Sequence, residues 1–163
     1  MTPIGHLATS YVLSKSVSNK INTYFLIGSL WPDIDIIFIF SSHFNEYHRV
    51  LTHNIFFILV SSILIPLISR HLILKNIILF SLGGFLHLFL DSILDTNPSN
   101  GIGVTILYPL SFESFSPFNL LSGYVNDYTW STPLKFMLSN LKTLFYEIPF
   151  IIVGVYIFYR NRL

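Results

Sequence analysis

The chain has 163 residues, 52% of them hydrophobic and only 10% charged, where an ordinary soluble domain carries roughly 25% charged residues. Nine basic against eight acidic residues leave a formal net charge of +1, too sparse and too balanced for a nucleic-acid surface. With a mean hydropathy of +0.64 and 17% aromatic side chains, the composition excludes a disordered or multi-domain soluble protein. It predicts one domain, residues 1–163, whose surface faces lipid. Cysteine is absent, which removes disulfides, thiolate zinc sites and cysteine nucleophiles.

Met1 to His6 lacks the basic n-region, apolar core and cleavage site of a secretory signal and reads as mature sequence. Thr2 followed by Pro3 is an N-cap with proline in the first turn, predicting a helix from here to about Val17. Ile21 to Phe40 is apolar but interrupted by Trp31-Pro32-Asp33-Ile34-Asp35, and Pro32 should end a helix just before it. Ile55 to Ser69 is almost wholly apolar, and Asn76 to Leu94 is similar apart from His87 and Asp91. Thr96 to Thr132 opens on turn chemistry, Asn97-Pro98-Ser99-Asn100-Gly101, and then carries Tyr108, Phe112, Phe115, Phe118, Tyr124, Tyr128 and Trp130, as an interfacial loop or cap would. Thr132-Pro133 repeats the capping signature, and Leu134, Leu138, Leu141 and Phe145 start an amphipathic helix. That helix runs into a last apolar stretch, Thr143 to Tyr159, which contains Glu147 and Pro149. A span needs about 20 apolar residues, so the expected fold is an all-α integral membrane bundle with three to five spanning or re-entrant helices.

The few polar residues stand where a membrane makes them costly. Ionised carboxylates at that depth cost several kcal/mol unless paired, hydrated or metal-bound. His87 and Asp91, at i and i+4, share a helix face and serve equally as a metal-binding pair or as a hydrogen-bonded pair inside a bundle. Asp33 and Asp35 alone fit a helix-start acid and its neighbour. The five-residue offset from His48 to His53 puts His48 in a loop, with Thr52 as the cap of the next helix, and two histidines around Arg49 favour ligands over packing. His6 alone says nothing. Together His6, Asp33, Asp35, His48, His53, His87 and Asp91 make seven candidate ligands, more than one tetrahedral zinc takes and suited to two metals. Imidazole and carboxylate without thiolate favour zinc, manganese or iron.

If successive helices lead away from and back to these residues, all four patches lie at one membrane face. Lys15, Lys20, Arg70, Lys75, Arg160 and Arg162, six of the nine basic residues, fall on the other. By the positive-inside rule that second face is cytoplasmic and the candidate site faces outward from the cell membrane.

The order His6, Gly28-Ser29-Leu30-Trp31-Pro32-Asp33-Ile34-Asp35, His48-Arg49-x-x-Thr52-His53, His87-x-x-x-Asp91 and Leu107-Tyr108-Pro109-Leu110-Ser111 resembles the YdjM-like family of membrane-bound metal-dependent hydrolases. The resemblance covers about the first 111 residues. Val50 stands where the family often has glycine, and Asn54 where it often has serine. The family is distantly similar to zinc-dependent phospholipase C and related nucleases, and this implies that the seven histidines and aspartates are metal ligands.

The expected chemistry is hydrolysis of a phosphoester by water activated at two divalent ions about 3.5–4 Å apart. Asp33 or Asp35 would bridge them, Asp35 would take part in catalysis, and Arg49 would grip the phosphate and stabilise the transition state. Asp95 and Tyr108 are candidates for the surrounding shell. A site at the membrane face beneath an aromatic segment points to an amphiphilic, lipid-linked phosphoester, with the bilayer as the other partner. The alternatives are a non-catalytic metal-binding or transport protein and a homologue whose metal only holds the bundle together.

Overall fold

A computed structural model describes residues 1–38, 47–94, 103–120 and 133–160, with the side chains of the last stretch from residue 144 on. These residues are all-helical, apart from one antiparallel bridge between Val104 and Phe115. The elements are α1 (Pro3–Ser18), α2 (Thr23–Leu30), a 3-10 helix (Trp31–Phe38), α3 (Ile55–Ile68), α4 (Leu74–Ile93) and α5 (Pro133–Arg160).

The helix starts follow from capping. The Thr2 hydroxyl accepts from the Gly5 N–H at 3.2 Å, and Asn22 caps α2 through the Phe25 N–H at 3.3 Å. α2 gives way at Trp31, whose N–H bonds to the Gly28 carbonyl. Pro32, with no N–H to give, continues as the tighter 3-10 winding instead of ending the helical path. α3 is capped by Asn54, not Thr52: Asn54 Oδ1 accepts from the Phe57 N–H at 2.8 Å, while its Nδ2 holds the carbonyls of Val50 and Leu51 at 3.0 and 2.9 Å. The Thr52 hydroxyl is turned inward to other partners.

The interior is polar and the exterior apolar, the reverse of a soluble domain. Among the described residues six apolar side chains are buried against sixteen polar or charged ones, so it is the outer surface that suits lipid. α1 buries His6, Thr9, Ser10 and Ser14 at helical spacing and leaves Ile4, Leu7, Leu13 and Val17 exposed. α3 does likewise with Ser61 and Ser62 inside and Leu59, Val60, Ile63 and Leu67 outside.

Small residues let the helices close on one another. α2 and α4 cross so tightly that a Cβ on Gly28 would lie 2.1 Å from the Phe80 carbonyl oxygen, and one on Gly83 would lie 2.2 Å from that of Phe25. Such backbone contact is typical of helix pairs in lipid. α4, with 20 residues and a length of about 30 Å, is the one helix among the described residues that is long and apolar enough to cross a membrane. α3, at 14 residues, is shorter.

Residues 103–120 lie over the end of the bundle where α3 begins and α4 finishes. The Ile55 N–H bonds to the Ile106 carbonyl at 3.0 Å, the Leu120 N–H to that of Ile93 at 2.9 Å, and the Ser116 hydroxyl to that of Ser92 at 2.5 Å. Val104 packs on Ile58 and Leu88, while Phe112, Phe115 and Phe118 are exposed. The rest of the expected aromatic cap, residues 96–102 and 121–132, lies outside the described residues, as does Asp95.

Candidate metal centre

α2 and its 3-10 extension, the turn before α3, and the last turns of α4 bring Asp33, His53, His87 and Asp91 together at one end of the bundle. His53 Nε2 lies 3.6 Å from Asp33 Oδ1, 3.5 Å from Asp91 Oδ2 and 3.1 Å from His87 Nε2. His87 Nε2 lies 3.7 Å from Asp33 Oδ1 and 3.4 Å from Asp91 Oδ2. Donor atoms held tetrahedrally by one ion at about 2.0–2.1 Å are about 3.3–3.4 Å apart. The separations here, 3.1 to 3.7 Å, bracket that value.

Counting protons shows what these atoms present to one another. His87 Nδ1 is 2.8 Å from the Ser29 carbonyl, which can only accept, so Nδ1 carries the proton and a neutral ring leaves a lone pair on Nε2. The Thr52 hydroxyl donates its one proton to Asp35 Oδ2 at 3.0 Å, so it must accept from His53 Nδ1 at 3.0 Å. In a neutral ring, His53 Nε2 is then also a lone pair. Two such nitrogens and two carboxylate oxygens therefore face one another, an arrangement that requires a cation. In the metal-free protein that cation is a proton: burial alone would lower the His53 imidazole, but its bonds to Asp33 and Asp91 lift it to about 9. Asp33 Oδ2 is buried with no hydrogen-bond partner, as is Asp35 Oδ1.

Asp35, His48 and His53 form a second group that could hold an ion. Its closest contact is already a hydrogen bond, His48 Nδ1 to Asp35 Oδ2 at 3.0 Å, and His53 Nδ1 is 4.0 Å from the same oxygen. Burial pushes the Asp35 carboxyl up, but the bond from His48, the charges of His48 and His53 and the Thr52 hydroxyl outweigh it and hold the group below the usual carboxylate range. Burial holds the His48 imidazole below its ordinary value against the pull of Asp35. His53 is common to both groups through its two ring nitrogens, whereas Asp33 and Asp35 each serve one.

His6 stands beside the first group. Its Nε2 donates to Asp91 Oδ1 at 3.1 Å, and its ring stacks on His87 with centroids 3.7 Å apart. The Met1 amino group is 2.5 Å from the same oxygen. Arg49, half-buried, occupies the turn after His48 with φ 67°, and its carbonyl accepts from the Thr105 hydroxyl at 2.7 Å. Tyr108 packs edge-on against Phe112 at 5.2 Å.

Three participants were given other roles or none from sequence: Thr52, the Ser29 carbonyl and Glu147. Glu147 is fully buried and binds Thr2. Its signal was a single acid inside an apolar run, which has to find a partner. No curated protein and no solved structure matches the chain. The YdjM inner membrane protein family does, over residues 1–162, and the chain belongs to that family.

Proposed function

We propose that the protein is a metal-dependent hydrolase of the inner membrane, acting on a phosphoester of a lipid or lipid-linked substrate. The observation that carries this reading is the convergence of two imidazole nitrogens and two carboxylate oxygens at tetrahedral separations. Asp33, His53, His87 and Asp91 would hold the ion, zinc or manganese by the chemistry of the donors. A divalent ion so held supplies a Lewis acid that polarises a phosphoryl oxygen and acidifies water.

The remaining residues have roles of their own. The Ser29 carbonyl and the Thr52 hydroxyl, through their hydrogen bonds, hold a proton on the Nδ1 atoms of His87 and His53, so that both Nε2 atoms would face a bound ion. His6 orients Asp91. Asp35 orients Thr52, and its unpartnered Oδ1 is the atom from which a second ion could be held beside His48. Arg49 would bind the phosphate through its two-pronged guanidinium.

The bundle is read as multi-pass, with α4 spanning and α1, α3 and α5 tilted or re-entrant beside it. The Tyr24 hydroxyl meets the Ser69 hydroxyl at 2.7 Å, which joins the start of α2 to the end of α3. Lys15, Lys20, Arg70 and Lys75 thus gather at the end away from the histidines and aspartates. With that end cytoplasmic, the candidate site faces outward.

The test is to purify the protein in detergent, quantify bound metal, and assay phosphomonoesters, phosphodiesters and phospholipids with and without a chelator. Chelator-sensitive hydrolysis together with loss of metal in Asp33→Ala and His87→Ala is expected. Metal retained in both variants would refute the site, and a metal-loaded protein that cleaves none of these esters would refute the activity.

A further inference from the structure

Glu147 is a fully buried carboxylate on a helix whose neighbouring residues Phe145, Tyr146, Ile148 and Phe150 are all exposed. A buried carboxylate is costly, and an apolar residue there would pack more cheaply unless the acid does something an apolar residue cannot. What it does is bind Thr2 at two points. Oε1 accepts from the Thr2 N–H at 2.6 Å, and Oε2 accepts from the Thr2 hydroxyl at 2.5 Å. The hydroxyl can donate there because it accepts from the Gly5 N–H.

The fit is close. A Cβ on Gly5 would lie 2.4 Å from Glu147 Cδ and 2.6 Å from Oε2, so a larger residue there would displace this carboxylate. One turn further along, the Thr2 carbonyl accepts from the His6 N–H at 3.0 Å. His6 in turn donates to Asp91 and stacks on His87. Each link in the path from Glu147 through Thr2 and His6 to Asp91 is a hydrogen bond or the backbone of a capped helix start.

We infer that Glu147 is a positioning residue: through Thr2 it sets the axial position of α1 and so the placement of His6 against Asp91 and His87. Its effect on metal binding rests on the metal reading above. Its effect on His6 does not.

The test uses the full-length protein in detergent and zinc(II) as the probe. Zinc affinity is measured by competition with a chelating dye, and the imidazole nitrogen NMR signals of His6 are assigned by their loss in His6→Gln. In Glu147→Gln, affinity should fall about tenfold, the lower end of the effect of removing a partner of a ligand, with the number of ions bound at saturation unchanged. Thr2→Val should fall equally, Thr2→Ser should keep the parent affinity because it keeps the hydroxyl, and Glu147→Gln combined with Thr2→Val should be no weaker than either alone. The His6 signals should shift in Glu147→Gln and Thr2→Val without metal.

Parent-like zinc affinity and parent-like His6 signals in Glu147→Gln and Thr2→Val, even with a lowered melting temperature, would overturn the inference by reducing Glu147 to a structural contact. If the parent binds no zinc, the metal reading fails, and the His6 signals alone decide whether Glu147 positions the ring. Should Glu147→Gln not fold, the contrast between Thr2→Val and Thr2→Ser decides.

Discussion

Thr52→Val is the sharpest probe of the proton arrangement, because valine has the shape of threonine without its hydroxyl. In the parent, that hydroxyl accepts from His53 Nδ1 and donates to Asp35 Oδ2, each at 3.0 Å. With metal bound, His53 must keep its proton on Nδ1, and in the variant that buried N–H faces a methyl group, costing about 1–3 kcal/mol. The metal-free variant has an escape: the ring can give up its Nδ1 proton, keep the one on Nε2 toward Asp33, Asp91 and His87, and leave Nδ1 bare. The penalty therefore falls on the bound state. Affinity should drop roughly 10–100-fold, or about 1.4–2.8 kcal/mol, which agrees with losses on removing a partner of a ligating histidine. Chelator competition in detergent reads the affinity, and thermal unfolding with and without metal shows whether the loss is confined to the bound state. A Thr52→Val protein that binds metal as tightly as the parent would refute the assigned tautomer, and with it the reason that His53 Nε2 is open to a cation.

Three further outcomes can be measured. Gly83→Ala places a methyl 2.2 Å from the Phe25 carbonyl and 2.8 Å from the Ser29 nitrogen, whereas the methyl of Gly84→Ala meets only the side chain of Ile58, at 2.7 Å. Overpacking against backbone should cost Gly83→Ala about 1–3 kcal/mol or more and weaken metal binding by moving Ser29 off His87, with a smaller loss in Gly84→Ala; thermal unfolding that ranks the two in the opposite order would contradict the packing described. Because burial lowers His48 from its ordinary 6.5, the unfolded chain takes up a proton there first, so stability should begin to fall as pH drops through that value. The lowered Asp35 carboxyl, whose contribution is present above 3.8, extends the loss to lower pH, and His48→Gln should flatten the upper part of the curve in pH-dependent unfolding. Arg49→Ala should retain its metal and lose most turnover on a phosphoester, and full activity would remove Arg49 from the mechanism.

How far the sequence could be read depended on the range of each interaction. Thr2-Pro3 announced α1 because the N-cap bond to Gly5 spans three residues, and His87 with Asp91 announced a shared face because α4 has a fixed period. Thr52 and Asn54 are both good caps by type. Which one caps α3 is decided by Asp35, seventeen residues away, which claims the Thr52 hydroxyl. The same holds for His6. Its neighbours along the chain say nothing, and its role is set by Asp91, 85 residues on. The seven histidines and aspartates could be picked out because polar groups are conspicuous in an apolar chain. Their division into four converging atoms and an orienting set turns on single protons, which spacing does not record. Glu147 was conspicuous on the same ground, but Thr2 is 145 residues away, and only the fold joins them.

α5 lies alongside α1 in the same direction: Glu147 sits at Thr2 and Gly5, and one heptad later Gly154 sits against Ala8, Tyr11 and Val12. This pairing imposes an order on biosynthesis. The converging side chains are all made by residue 91, but the contact that secures the first turn of α1 is made more than fifty residues later. A nascent chain that has made α1 to α4 already carries every group of the candidate centre, yet the Thr2 hydroxyl and N–H lack their carboxylate. On the positioning inferred for Glu147, the final helix is what sets His6, which makes a settled centre a mark of the completed chain.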